Sequence, residues 1–149
     1  VVVGLGGVAA HVLCKLPRDA EGYMGRLRCV QEISAVTAAC MMVKTSVFKA
    51  VGGFDEELKV AFNDIDLCMK VRKYGVKIVF TPYAELYHYE SKSRGMEDTP
   101  EKQLRFSREV NCFRRKWERE LLKGDPYYNP NLTLNNTDCS LRKQEKNGD

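Results

Sequence analysis

The sequence predicts an α/β fold in which a short mixed sheet is flanked by helices and followed by a long C-terminal helix. Three observations support this. The uncharged apolar run 33–43 has the composition of a buried strand. The apolar run 76–80 follows an amphipathic helical pattern that begins at Asn63. Residues 99–123 combine helix-start signals with an apolar stripe.

Composition places the chain in a broad class. Its 149 residues are enough for one domain with a buried core. The 24 Lys and Arg against 20 Asp and Glu give a net charge of +4, too mild to indicate nucleic-acid binding. Six scattered cysteines without a C-x-x-C pair favour reduced thiols and a cytoplasmic location, at or near the inner face of the membrane. Because the first residue is Val1, we expect the chain to be cut from a longer protein.

The first half is predicted to be mostly loops around one strand and one short helix. Residues 1–30 are rich in glycine, which is typical of loops. Thr45 or Ser46 is expected to cap a short helix that two glycines end. Residues 54–62 then form an acidic loop.

A helix is predicted to begin at Asn63, with Asn63 as its N-cap and Asp66 reaching back as in a capping box. Gly75 is expected to end this helix, and residues 76–80 to form a strand. The spacing places five residues on one face of this helix, namely Asp64, Leu67, Cys68, Val71 and Tyr74.

A composition shift after Gly95 divides the chain into predicted segments 1–98 and 99–149. Thr99 as cap and Pro100 in the first turn should begin a helix that runs to about 123. We expect its apolar stripe to dock on the same domain and the polar tail beyond about 140 to fray. The stripe comprises Leu104, Val110, Phe113, Trp117 and Leu121.

Asp64 is the first candidate for chemistry. A carboxylate in the opening turn of a helix is favoured in its ionised form by ~0.3–1 kcal/mol, as a general base requires. Partial burial would oppose this, and a helix-start aspartate with only a capping role is the alternative. Asp66 points about 200° away around a helix, so the two carboxylates cannot chelate one ion from the same face. Asp66 is instead expected to cap the helix or contact substrate hydroxyls.

His88 and the basic residues after it are weaker candidates. An imidazole between two tyrosines is either a packed side chain or one ligand of a cation such as Mn²⁺, which needs further oxygen ligands. Lys92 and Arg94 could hold a diphosphate or could be solvated surface charge. Alternatively, the basic helix 100–123 binds an anionic membrane or an acidic partner, and the chain is a non-catalytic interaction module.

Taken in order, these segments resemble the second half of a family 2 inverting glycosyltransferase with the GT-A fold. The resemblance covers about residues 30–95. Its motifs are Ser34-Ala35-Val36-Thr37-Ala38-Ala39-Cys40, Val51-Gly52-Gly53-Phe54-Asp55-Glu56, Asn63-Asp64-Ile65-Asp66-Leu67-Cys68, Gly75, Thr81-Pro82-Tyr83-Ala84 and His88-Tyr89-Glu90-Ser91.

The resemblance implies that Asp64 deprotonates an acceptor hydroxyl, which displaces the leaving group in one step and inverts the anomeric carbon. His88 would join a divalent cation, Mn²⁺ or Mg²⁺, on the diphosphate of a nucleotide-sugar donor. The acceptor would be a saccharide or a lipid-linked sugar. Contacts to donor or acceptor are expected from Thr37, Ala39, Cys40, Asn63, Asp66, Glu90, Ser91, Lys92 and Arg94.

The resemblance also implies an incomplete GT-A-like fold, limited to the acceptor-side half. The family's first half, with its nucleotide-binding strands and metal-chelating Asp-x-Asp, has no counterpart in this sequence. Asn63 stands where the family usually has the first of two acids, and Asp64 retains the second. The expectation is a truncated domain of a bacterial, metal-dependent transferase for cell-surface polysaccharide, inactive when alone, with peripheral membrane contact and no nucleic-acid partner.

Overall fold

The computed structural model describes residues 1–89 and 99–143. Within these ranges the chain is a mixed α/β structure with short strands and one long helix, which confirms the predicted class in its general form. Its elements are β1 (Val2–Val3), β2 (Ala9–Ala10), β3 (Gln31–Glu32), α1 (Thr45–Ala50), α2 (Asn63–Lys73), β4 (Val79–Phe80), α3 (Pro100–Lys116) and α4 (Glu118–Lys123).

The strands form two separate antiparallel ladders. Strand β1 pairs with β2, so that the loop-rich start of the chain folds back on itself. Strand β3 pairs with β4, with Gln31 opposite Phe80, and the amide of Ile33 continues the ladder by donating to the carbonyl of Ile78 at 3.0 Å.

The strand predicted over 33–43 is wrong beyond its first residue. A strand needs a partner for its backbone donors and acceptors, and the ladder with β4 ends at Ile33. The chain turns instead into a 3-10 helix at Ala38–Cys40, where the Thr37 hydroxyl accepts a hydrogen bond from the amide of Ala39 at 3.4 Å. Such local side-chain bonding offers the backbone an alternative to a ladder.

Helix α1 begins at Thr45, after Lys44, so both residues expected at its cap, Thr45 and Ser46, lie inside the helix. The two glycines end it as expected, because Gly52 and Gly53 both have left-handed backbone angles, with φ of 78° and 64°. A Cβ at Gly53 would also lie 3.1 Å from the ring of Phe48.

Asn63 is not the N-cap of α2, contrary to prediction. Phe62 occupies that position with a left-handed φ of 64°, and Asn63 is the first helical residue. The reason is tertiary packing, because the Phe62 ring lies 5.8 Å from Phe106 and 5.4 Å from Phe113 between ring centroids. Burial of an aromatic ring outweighs the cost of a strained backbone angle here.

The rest of α2 follows the predicted face closely. Leu67, Cys68 and Val71 are buried, whereas Tyr74 at the end of the helix is exposed. Gly75, with a φ of 93°, ends the helix as predicted. Burial raises the pKa of the Cys68 thiol to about 11. All six cysteines are free thiols in this structure.

The C-terminal helix starts as predicted but is not continuous. The Thr99 hydroxyl accepts from the amide of Lys102 at 3.4 Å, and Pro100 follows in the first turn. At Trp117 the backbone leaves helical geometry, with φ of −115°, and divides the segment into α3 and α4. At this break the buried indole of Trp117 donates to Asp66 at 2.8 Å.

One main core joins the two predicted segments. The stripe of α3 and α4 docks on this domain, as expected, except that Leu104 is 54% exposed. The buried members of this core are Val3, Val8, Ala35, Leu58, Ile65, Cys68, Met69, Phe113 and Trp117. A second cluster joins the tail to β1 through Val2, Leu5, Tyr128, Leu132 and Cys139. No helix in residues 1–89 or 99–143 is both long enough and apolar enough to cross a bilayer.

The Trp117–Asp66 bond predicts a measurable loss of stability in Trp117→Phe. Phenylalanine keeps most of the packing but removes the donor, so a buried carboxylate oxygen loses one partner. The free energy of unfolding should fall by about 1–3 kcal/mol. Urea unfolding followed by circular dichroism measures it, with exposed Leu122→Ala as the control. Equal stability of wild type and Trp117→Phe would contradict the importance of this bond.

Candidate active site

The carboxylate of Asp64 is fixed at the start of α2 by two backbone amides. Its Oδ2 accepts from the amide of Ala38 at 3.0 Å, and its Oδ1 accepts from the amide of Ile65 at 2.8 Å. The side chain is half-buried, so it remains within reach of solvent. The hydrogen bond from Ala38 to Asp64 therefore connects the 3-10 helix to the start of α2, across 26 residues of sequence.

The 3-10 turn forms part of the wall of a cleft of about 980 Å³. Thr37, Ala39 and Cys40 all line this cleft, so three of the predicted contact residues lie together. Thr37 is half-buried, and Ala39 and Cys40 are exposed. Asp64 is not among the described residues that line the cleft, but it is attached to the wall through Ala38.

The cleft is lined mostly by apolar side chains, and the charged side chains among its lining are positive. Its apolar lining includes Ile33, Val36, Met41, Ile78, Phe80 and Leu86. The charged side chains that line it are Arg26, Lys44 and Lys77, and no aspartate or glutamate of the described ranges does so. Glu32 forms an ion pair with Lys77 just outside, which raises the pKa of Lys77 and lowers that of Glu32. An anionic ligand would meet favourable charge there.

Asp66 has a different place from the one predicted. Its side chain is 0% exposed, and its Oδ1 accepts from Trp117 at 2.8 Å and pairs with Lys116 at 2.7 Å. The ammonium of Lys70 lies 3.2 Å from Oδ2. Asp66 therefore neither caps α2 nor reaches a substrate hydroxyl, because a buried charge must be satisfied from within the protein. Asn63 is half-buried in the first turn of the helix.

His88 lies in an irregular exposed segment after β4. Ala84 and Leu86 of that segment line the cleft, whereas His88 is not among the lining residues. Across residues 1–89 and 99–143, no group of three or more His, Cys, Asp and Glu side chains is placed to hold a metal. The described residues by themselves therefore do not fit a metal centre. The exposure of His88 contradicts the alternative that it is a side chain packed in the core.

Four predicted contact residues lie outside the described part of the chain. These are Glu90, Ser91, Lys92 and Arg94. Their roles stay predictions.

The loop before α2 is held by side chains that the sequence patterns did not indicate. Glu109 is 3% exposed, and its two oxygens accept from the amides of Val60 at 3.1 Å and Ala61 at 2.9 Å. Lys116 forms ion pairs with both Asp55 in the loop and Asp66 in α2. A glutamate and a lysine in a helix with abundant charge resemble solvent-exposed residues in sequence. Their spacing relative to Phe113 and Trp117 is the one signal that could have placed them on the inner face.

Comparison with known proteins gives three informative relatives. The chain is 56% identical over 142 residues to the uncharacterized protein y4gI of Sinorhizobium fredii, covering 95% of this chain and 16% of the relative. It is 37% identical over 150 residues to the O-antigen biosynthesis protein RfbC of Myxococcus xanthus, covering 100% and 11%. Over 62 residues it is 36% identical to the N-acetylglucosaminyl-diphospho-decaprenol L-rhamnosyltransferase of Mycobacterium tuberculosis, covering 42% and 20%.

The chain spans one fifth or less of the length of each of these relatives. Two of them are named for O-antigen biosynthesis and for rhamnosyl transfer, which indicates a glycosyltransferase-like family in general terms. No family model matches the chain, and no solved structure gives a significant match.

The ion pair of Asp55 predicts a pH-dependent contribution to stability. The Lys116 ammonium, and then the amide of Glu57, lower the pKa of the Asp55 carboxyl below its usual value. A lowered folded-state pKa stabilises the protein above the usual pKa and loses that effect as pH falls through the folded value. The difference in melting temperature between wild type and Asp55→Asn should be present at about pH 6 and shrink below about pH 4.

Thermal unfolding by circular dichroism between these pH values checks this prediction. Glu56→Gln is the matched control, because Glu56 is the exposed neighbour of Asp55. A difference between wild type and Asp55→Asn that stays constant over the whole pH range would contradict the assigned ion pair.

Proposed function

We propose that this chain is the acceptor-side part of an inverting family 2 glycosyltransferase with an incomplete GT-A-like fold, and that Asp64 is its general base. The observation that carries the proposal is the placement of Asp64 at a helix start, tied by the Ala38 amide to the wall of the cleft. The names of two relatives support sugar transfer as the reaction class.

The chemistry assigned to Asp64 is one proton transfer. Its carboxylate accepts the proton of the acceptor hydroxyl while that oxygen bonds to the anomeric carbon of the donor sugar. The bond from that carbon to the nucleotide diphosphate breaks, and its electron pair leaves with the diphosphate. The bonds from Ala38 and Ile65 orient the carboxylate before the acceptor arrives, which lowers the entropic cost of reaching the reactive geometry.

The donor side of the reaction is assigned to a further half that completes the domain. The apolar lining of the cleft supports contact with additional polypeptide, and its positive side chains would add favourable charge beside an anionic donor held by that half. In this proposal a divalent cation, Mn²⁺ or Mg²⁺, is bound mainly by that half, with His88 as one contributing ligand. No step assigned to the present residues passes through the cation. The acceptor is a saccharide or a lipid-linked sugar, and the location is the cytoplasm, at the inner face of the membrane.

The proposal predicts the effect of Asp64→Asn in the complete polypeptide that contains this segment. Asparagine keeps the shape and one acceptor oxygen for the Ala38 amide, but its NH₂ group replaces the oxygen that accepts from Ile65, and it cannot take a proton at neutral pH. The rate of sugar transfer should fall by about 10²–10⁴-fold while nucleotide-sugar affinity stays within twofold. Transfer assays and donor titration measure the two quantities. Asp19→Asn, at an exposed position, is the control. A near-normal rate in Asp64→Asn would remove the base assignment.

A second prediction concerns the 149 residues alone. Because donor binding is assigned to the absent half, the isolated chain should fold but show no sugar transfer and no saturable binding of nucleotide-sugars with Mn²⁺ present. Circular dichroism, transfer assays and calorimetric titration measure these properties. Detectable transfer by the isolated chain would show that the donor site lies within it.

The docking of α3 limits the alternative in which the chain is a non-catalytic interaction module. The stripe that would insert into a membrane is occupied, because Phe113 and Trp117 lie in the main core. A membrane or an acidic partner would have to use the outer face of α3, where Leu104 is exposed beside Arg108. We assign this outer face only the peripheral membrane contact expected above.

A further inference from the structure

Glu109 on α3 is a buried carboxylate whose hydrogen bonds lead toward Asp64. Its Oε1 and Oε2 accept from two consecutive amides, those of Val60 and Ala61, across 49 and 48 residues of sequence. Arg105 lies 3.9 Å from Oε2, beyond hydrogen-bond distance. A carboxylate that accepts from two backbone amides fixes both the position and the orientation of the loop that carries them.

The fixed loop leads directly into the helix start. Phe62 follows Ala61, adopts the left-handed backbone angle and serves as N-cap, and its ring packs on Phe106 and Phe113. Asp64 is only two residues further along. The amides of Val60 and Ala61, which Glu109 binds, are therefore separated from Asp64 only by the packed Phe62 and by Asn63, the first helical residue.

The contacts of α3 with this segment come from one stripe of the helix. Phe106, Glu109, Phe113, Lys116 and Trp117 follow the i, i+3, i+7, i+10, i+11 spacing of a single face. From this face Lys116 binds Asp55, Glu109 binds the amides at 60 and 61, and Trp117 binds Asp66. The segment 55–66 is thus held on both sides of Asp64.

We propose that Glu109 is a positioning residue for the base: by accepting hydrogen bonds from Val60 and Ala61, it sets the orientation of the helix start that carries Asp64. The expected effect of Glu109 on the reaction rate rests on the proposed function, whereas its effect on the position of Asp64 does not. Glu109 itself does not contact substrate.

The geometric part is tested in the 149-residue chain with Glu109→Gln. Glutamine has nearly the same shape, but its NH₂ group faces an amide donor, so one of the two hydrogen bonds is lost. Amide hydrogen exchange at Val60 and Ala61 should become at least about tenfold faster. The Ala38 amide is a reporter of the Asp64 carboxylate, because it donates to Oδ2, and its exchange should also accelerate.

Two controls separate positioning from general loss of stability. The amide of Trp117, which donates to Phe113 at 3.0 Å within the helix, should keep its exchange rate in Glu109→Gln. Glu118→Gln, at an exposed position of α4, should leave all four amides unchanged. Equal acceleration at Trp117 would indicate global destabilisation and overturn the proposal, as would unchanged exchange at Ala38.

The chemical part is tested in the complete polypeptide. Glu109→Gln should lower kcat at least about tenfold and leave the KM for the nucleotide-sugar unchanged, because it displaces the base without touching the donor. A normal kcat, or a change in KM alone, would overturn the catalytic consequence. If Asp64→Asn retains transfer, the proposed function fails, while the exchange data still decide whether Glu109 sets the position of Asp64.

Glu109→Asp is the second variant if glutamine prevents folding. It retains the charge but is one methylene shorter, so it should bind one amide and give a smaller acceleration at Ala38. Loss of folding in both variants would overturn the proposal, because Glu109 would then be required for the fold as a whole.

Discussion

The fully buried carboxylate of Asp66 is the constraint on which the arrangement of α2 and α3 depends. An unpartnered carboxylate in this position would cost several kcal/mol, even after relaxation. Its partners are Trp117, Lys116 and Lys70, of which the first two lie where α3 ends. Without α3, Asp66 would keep only Lys70 of its own helix, so the docking of α3 stabilises the position of α2. A helix that lies outside the region of family resemblance is for this reason part of the main core.

The two acids of the Asp64-Ile65-Asp66 motif divide their roles by helical geometry. They point about 200° apart, so when one faces the core the other must face away. Asp66 is directed at α3, and Asp64 is directed at the 3-10 turn and accepts from Ala38. Asp66 thereby fixes the rotation of α2 about its axis. This rotation presents Asp64 to the 3-10 helix that lines the cleft. A structural anchor and a candidate base thus occupy positions two residues apart.

Sequence patterns predicted the elements whose causes are local and missed those with distant causes. The end of α1 at two glycines, the Thr99 cap and the buried face of α2 depend on backbone freedom, side-chain bonding to nearby amides and periodicity. The cap at Phe62, the break at Trp117 and the role of Glu109 depend on contacts over 44 to 51 residues, which no local pattern contains. Thr37, Ala39 and Cys40 lie along one cleft, although the strand expected to carry them did not form, and their contacts to donor or acceptor stay predictions.

Under the proposed function, one physical explanation covers both the open cleft and the failure of residues 33–43 to form the predicted strand. The run 33–43 carries no charge and has the composition of a segment buried in a sheet, yet Met42 is 99% exposed and Ile33, Val36 and Met41 line the cleft. Apolar surface of this extent is unfavourable in water and is typical of a surface that other polypeptide covers. A donor-side half that paired with this run would supply its backbone partners and bury its side chains at once. The same step would enclose Asp64 at the boundary between the two halves, where acceptor and donor must meet.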